Sequence, residues 1–209
     1  LQKAEIEDLE RTLRFIGGVK SGGSWKFPYD PTLTLDSIVA LGLIPEVKSH
    51  QFYPTPASIA QYVAQILKCT PTDRVLEPSA GRGDLLAFLD AVPENVTCVE
   101  VSPLFCDILS AKGYSVHNKD FIAWSKESPD CYDKIAINPP YSEGRAKEHT
   151  LTALNHLTEQ GIMAAVLPAG YKPEEWIGSE FVCAKSDREF SGEFEDTGIT
   201  VAVFVFKRA

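Results

Sequence analysis

Apolar positions in this chain change their period along its length. Over the first sixteen residues, Ile6, Leu9, Leu13 and Ile16 recur at helical spacing among charged side chains. Acidic residues come early and Arg11 and Arg14 late, as a helix dipole prefers. Gly17-Gly18 ends that helix. Ser21-Gly22-Gly23-Ser24 reads as a flexible joint, and Trp25-Lys26-Phe27-Pro28-Tyr29 as an aromatic segment in need of a packing partner. Thr34 or Asp36 is placed to cap a second short helix that runs to Leu41 and stops at Gly42. Residues 1–50 hold no chemical motif and read as an N-terminal helical and irregular extension covering the main domain.

From Gln51 the pattern becomes an alternation. A helix is expected to begin at Pro56, capped by Thr55, and to carry Ile59, Val63, Ile66 and Leu67 on one face. Short apolar runs at 74–77, 96–101, 114–117, 134–137, 162–167 and 199–207 read as strands, separated by helical stretches at 85–89, 103–112 and 146–157. Strands alternating with helices predict an α/β fold, a doubly wound and mostly parallel sheet in a domain over 51–209.

Composition narrows the class. A chain of 209 residues with 44% hydrophobic content can build one sizeable core. No apolar run is long enough to span a bilayer. The five cysteines are scattered, without Cys-x-x-Cys or histidine at ligand spacing, so reduced thiols, no metal site and a cytoplasmic location are expected. The chain starts with Leu and its one methionine is Met163, which suggests a trimmed start. A formal net charge of −9 argues against a chain that holds nucleic acid by charge alone.

The chemistry gathers at strand ends. The run at 134–137 enters Asn138-Pro139-Pro140-Tyr141. Two prolines stop the ladder and leave carbonyls pointing out of the strand end. With the Asn138 side-chain oxygen they form a rigid set of acceptors for a planar NH₂ group, and Tyr141 adds a stacking surface. A tight strand-to-loop turn would use the same residues. At the end of the first strand, Glu77-Pro78-Ser79-Ala80-Gly81-Arg82-Gly83 lies where open α/β sheets bind ligands. Gly81 and Gly83 allow close backbone approach, and the absence of a subsequent Gly-Lys-Ser/Thr argues against a nucleoside triphosphate. Glu100 can accept both hydroxyls of a ribose, and Asp120-Phe121 can accept an adenine amine and cover its ring. Together they describe a pocket for an adenosine-containing cofactor.

In this order the motifs resemble a class I S-adenosylmethionine-dependent methyltransferase with a seven-stranded Rossmann-like sheet, and within that class the DNA adenine-N6 methyltransferases. Asn138-Pro139-Pro140-Tyr141 is similar to their catalytic motif, Phe52-Tyr53-Pro54-Thr55-Pro56 to the segment that covers the methionine end of the cofactor in their γ arrangement, and the 77–83 turn to their cofactor loop. The resemblance implies that Tyr53, Thr55, Pro56, Glu77, Pro78, Ala80, Gly81, Gly83, Glu100, Asp120, Phe121 and Asn138 surround S-adenosylmethionine. It implies that Asn138 and Pro139, with Pro140 and Tyr141, present a flipped adenine in duplex DNA. Phe194 would touch the base, and Arg145 and Lys147, with Lys172 and Lys185, the phosphates. Relatives of this type usually carry a large recognition region after the catalytic domain, whereas this chain stops at Ala209. Sequence reading would then fall to residues 1–50, 142–147 or 170–191, to a separate recognition subunit, or to a homodimer. A phage, mobile-element or restriction-modification setting is expected. A protein glutamine amide or an RNA base presents the same planar NH₂ and stays open as substrate, as does a non-catalytic cofactor-binding subunit.

Overall fold

In the computed structural model, which describes residues 2–42, 53–194 and 198–209, the alternating chain forms a seven-stranded sheet. Its strands are β3 (Val75–Glu77), β4 (Val96–Glu100), β5 (Ser115–Asn118), β6 (Tyr132–Ile137), β7 (Leu157–Pro168), β8 (Phe181–Ser191) and β9 (Thr200–Arg208). They lie in the order β5-β4-β3-β6-β7-β9-β8. All neighbours are parallel except β9, which runs antiparallel to both β7 and β8. Strand order reverses between β3 and β6, and the crevice beyond their carboxyl ends is where such sheets take ligands.

The near-continuous apolar runs follow from burial on both faces. In β7, Ala164 and Val166 point to one core, and Met163, Ala165 and Leu167 to the other. In β9, Val201 and Val203 face the first, and Ala202, Phe204 and Phe206 the second. Helices α3 (Ala57–Leu67) and α4 (Pro103–Ala111) cover the first face, and α5 (Phe121–Glu127) and α6 (Arg145–Leu154) the second.

Several elements differ from the sequence expectation. The helix expected at 85–89 is a single 3₁₀ turn, Leu85–Phe88. Asp84 gives its carboxylate to Arg82 rather than to a cap, and Pro93 keeps Val92 extended. The helix expected to reach residue 157 stops at Leu154, because Leu157 already pairs with Tyr132 in the sheet. β8 was hidden because an edge strand alternates weakly, and this one carries Lys185, Ser186, Asp187, Arg188 and Glu189 around an irregular register. α5 was also hidden, its single apolar turn being too short for a period.

The first forty residues form α1 (Lys3–Phe15), a hairpin of β1 (Val19–Ser21) and β2 (Ser24–Lys26), and α2 (Thr32–Leu41). The expected flexible joint is therefore a hairpin turn, with Gly22 at φ 62° between antiparallel partners. α2 starts before Thr34, because Asp30 accepts from the Thr32 amide and hydroxyl at 3.0 and 2.7 Å. Ile16 and Tyr29 pack with Phe105 and Ile108 of α4, giving the aromatic segment its partner.

Candidate functional site

β3 ends in Glu77, and the chain turns back through Gly81 and Gly83, at φ 53° and 78°. Both are left-handed conformations that glycine adopts without a Cβ clash. A Cβ on Gly83 would sit 2.9 Å from Leu109 Cδ2, so this glycine lets α4 pack against the turn. The turn is held from the side by Glu100, at the end of β4. One carboxylate oxygen accepts from the Gly81 amide at 2.8 Å and the other from the Ser102 amide at 2.7 Å. Glu100 is buried, and a carboxylate oxygen can accept more than one hydrogen bond. The same group can therefore brace two loops and accept a diol, the bracing being a role the sequence did not reveal.

Glu77 is 2% exposed, and its Oε2 has no hydrogen-bond partner among the described residues. Burial pushes its carboxyl well above the usual range; Asp84 pushes the same way, Lys112 opposes, and Glu100 adds to the rise. Glu77, Asp84 and Glu100 all line one cavity of about 520 Å³ at the carboxyl ends of the strands.

On the other side of that cavity β6 delivers Asn138. Its amide nitrogen donates to the Thr55 hydroxyl at 3.0 Å, and its Oδ1 accepts from the Tyr141 hydroxyl at 2.8 Å. The Tyr141 hydroxyl also lies 3.2 Å from the Val166 carbonyl on β7. Burial raises the Tyr141 phenol, so it stays a proton donor. Thr55 therefore does not cap α3 as expected. Pro56, at φ −58° and ψ 145°, takes the N-cap position, and its carbonyl accepts from the Ile59 and Ala60 amides.

The third wall comes from the chain beyond β5. Asp120 is the N-cap of α5, with Oδ1 accepting from the Ala123 amide at 2.9 Å. Phe121 borders the cavity, but most of its ring is buried against Trp124, His149 and His156. His149 lies 3.0 Å through Nδ1 from the Ser79 hydroxyl, and burial lowers its proton affinity. Ser79 stood within the expected cofactor loop, but its pairing with His149, and His149 itself, were not anticipated. The readable signal was that His149 stands one helical turn after Arg145, on the same face of α6.

Of the residues expected from sequence, Tyr53, Thr55, Glu77, Pro78, Ala80 and Gly81 border the cavity. So do Glu100, Asp120, Phe121, the four residues 138–141, Arg145 and Phe194. Pro56, Gly83 and Lys147 do not border it. Lys147 Nζ instead lies 5.8 Å from the centre of the Trp176 ring, while Lys172 and Lys185 pair with Glu175 and Glu189. Phe194 is 5% exposed, and its neighbour Glu193 accepts from Ser58 of α3 at 2.8 Å. Phe52 lies outside the described residues. No helix among the described residues is long and apolar enough to cross a membrane.

No protein-family model matches the chain, and no curated protein matches it. Solved structures do. A provisionally assigned RNA methyltransferase of Pyrococcus horikoshii superposes with a TM-score of 0.60 at 20% identity, over 85% of this chain and 96% of its own. A modification subunit of a provisionally assigned type I restriction enzyme from Vibrio vulnificus gives 0.59 at 15% identity, over 85% of this chain and 49% of its own. A provisionally assigned class I S-adenosylmethionine-dependent methyltransferase of Listeria monocytogenes gives 0.56 at 15% identity, over 85% and 67%. This chain spans about half of the Vibrio subunit. The fold is thus that of the Rossmann-like methyltransferases.

Proposed function

We propose that the cavity binds S-adenosylmethionine and that the chain transfers its methyl group to the N6 amine of adenine in DNA. The observation that carries the reading is the fixed Asn138 amide at the cavity wall, held by Thr55 on one side and Tyr141 on the other.

The residues present fit the cofactor. Glu77 Oε2 is a buried acceptor at the glycine turn without a partner among the described residues, suited to an α-ammonium group. Glu100 is suited to a ribose diol, and Asp120 to an adenine amine. When bound, S-adenosylmethionine supplies an electrophilic methyl carbon on a positively charged sulfur. The chain's own task is to present the nucleophile. Asn138 Oδ1 and the Pro139 carbonyl accept the two amine hydrogens, which turns the nitrogen lone pair out of ring conjugation. As the nitrogen takes the methyl group, with the carbon–sulfur bond breaking and neutral S-adenosylhomocysteine leaving, the same two dipoles would stabilise the positive charge on it. The cationic nitrogen would then lose its extra proton to water, so positioning and electrostatics supply the rate and no strong base is required. Tyr141 offers its ring face to the base, which must leave the duplex to reach this depth.

A protein glutamine amide meets the same acceptors, and the net charge of −9 favours a substrate without phosphates. An RNA base is a third substrate of equal local chemistry. The test is mass spectrometry of nucleosides from duplex DNA incubated with protein and S-adenosylmethionine, with RNA and glutamine-containing peptide in parallel. N6-methyladenine that disappears in Asn138→Ala supports the reading. Methyl transfer only to RNA or peptide moves the substrate, and cofactor binding with no transfer to any of the three argues for a non-catalytic subunit.

A further inference from the structure

The last turn of α1 has all its carbonyls accounted for, and one partner comes from the cofactor side of the molecule. The Thr12 carbonyl accepts from the Ile16 amide, the Leu13 carbonyl from Gly18 and the Arg14 carbonyl from Gly17. That is a glycine-terminated cap, with Gly17 at φ 93°. The remaining capacity, on Arg14 and Phe15, is taken by Nη1 of Arg82, at 2.7 Å from each carbonyl. The positive guanidinium thus sits at the negative end of the helix.

Arg82 lies between Gly81 and Gly83, in the turn that borders the cavity. Its Nε donates to both oxygens of Asp84, at 3.0 and 2.9 Å, and its own carbonyl accepts from the Lys112 ammonium of α4. Only 14% of its side chain is exposed. A second tie runs in parallel. Phe15, the last residue of α1, has its ring centre 5.3 Å from that of Phe105, which borders the cavity from α4. The segment that lacks any chemical motif is therefore fastened to both halves of the glycine-turn wall, to the turn itself by Arg82 and to α4 by Phe105.

We propose that Arg82 is a positioning residue: by locking the glycine turn to the end of α1, it holds Gly81 and Asp84 in the shape that takes the cofactor, and the N-terminal segment acts as the brace. The proposal rests on the reading that the cavity binds S-adenosylmethionine. A guanidinium is required because four acceptor oxygens on two segments are reached by one planar fork, which an ammonium cannot span.

The test is calorimetric titration of S-adenosylmethionine into the full chain and its variants, with the thermal midpoint of each measured without cofactor. Arg82→Met is expected to weaken binding about tenfold or more at a temperature where it is fully folded, with Arg82→Lys in between. A purely structural role would lower the midpoint and leave affinity within about twofold, and that result overturns the proposal. Should Arg82→Met fail to fold, Gly17→Ala carries the same test: it strains the α1 end without touching the cavity, and unchanged affinity there overturns the proposal equally. Wild-type chain that binds no S-adenosylmethionine would instead refute the cofactor reading, so the two failures are distinguishable.

Discussion

The hydroxyl of Tyr141 lies 2.8 Å from Asn138 Oδ1 and 3.2 Å from the Val166 carbonyl, so a single proton faces two acceptors on neighbouring strands. Tyr141 thereby orients the amide that would receive the substrate amine, in addition to offering a ring face. Tyr141→Phe keeps the ring and removes the proton. Methyl transfer should fall about tenfold in kcat, with S-adenosylmethionine affinity nearly unchanged, while Asn138→Ala should cost about a hundredfold or more. Single-turnover methyl transfer checks both, and a Tyr141→Phe enzyme as fast as wild type would leave Asn138 positioned by Thr55 alone.

Glu100 should matter to stability as well as to the ligand. Glu100→Ala leaves the buried Gly81 and Ser102 amides without acceptors. Urea unfolding should show a loss of about 2–4 kcal/mol for two orphaned donors. Glu100→Gln keeps one acceptor and should fall between. Unaltered unfolding in the alanine variant would mean that the turn relaxes to find water.

Glu77 should make cofactor binding a proton-releasing event. Burial raises its carboxyl and favours the neutral acid in the ligand-free chain, whereas a cation placed beside it favours the carboxylate. Wherever the ligand-free carboxyl is protonated, binding should then expel a proton, seen as a binding enthalpy that varies with the ionisation enthalpy of the buffer. Glu77→Gln should remove that dependence; buffer-independent binding in wild type would place the cationic group elsewhere.

His149 predicts a pH dependence of the fold. Its proton affinity in the folded chain is lowered from 6.5, chiefly by burial; Asp120 and Glu148 oppose this, and Arg145 adds to it. As pH falls through 6.5 the unfolded chain takes up a proton that the folded chain resists, so stability is lost until the folded-state value is reached. The urea midpoint should therefore drop as pH falls through 6.5, and His149→Gln should reduce the drop. An equal drop in the variant would assign the effect to other groups.

The thiols should be slow to react. Burial raises Cys69 and Cys106 to about 11 and Cys183 to about 12. Alkylation at neutral pH should leave these three unmodified in the folded chain. Labelling as fast as in the urea-unfolded chain would show that the core opens locally.

Much of this architecture was legible because burial on both faces leaves an apolar run that needs no context. The runs at 74–77, 96–101 and 134–137 announced three parallel strands, and residues at and just beyond their ends border the cavity. The polar edge strand β8 and the short helix α5 carried no such signature, since one is half solvated and the other too short to show a period.

Residue identity and local spacing thus determined six of the seven strands, the glycine turn and the polar turn that begins at Asn138. Only the tertiary structure decided who serves whom. Thr55 is pledged to Asn138 across 83 positions rather than to its own helix, Ser79 to His149 across 70, and Arg82 to Arg14 and Phe15 across 68 and 67. A hydrogen bond selects its partner by direction and distance in space. No local pattern records that choice, because these partners lie far apart along the chain and only the fold brings them together.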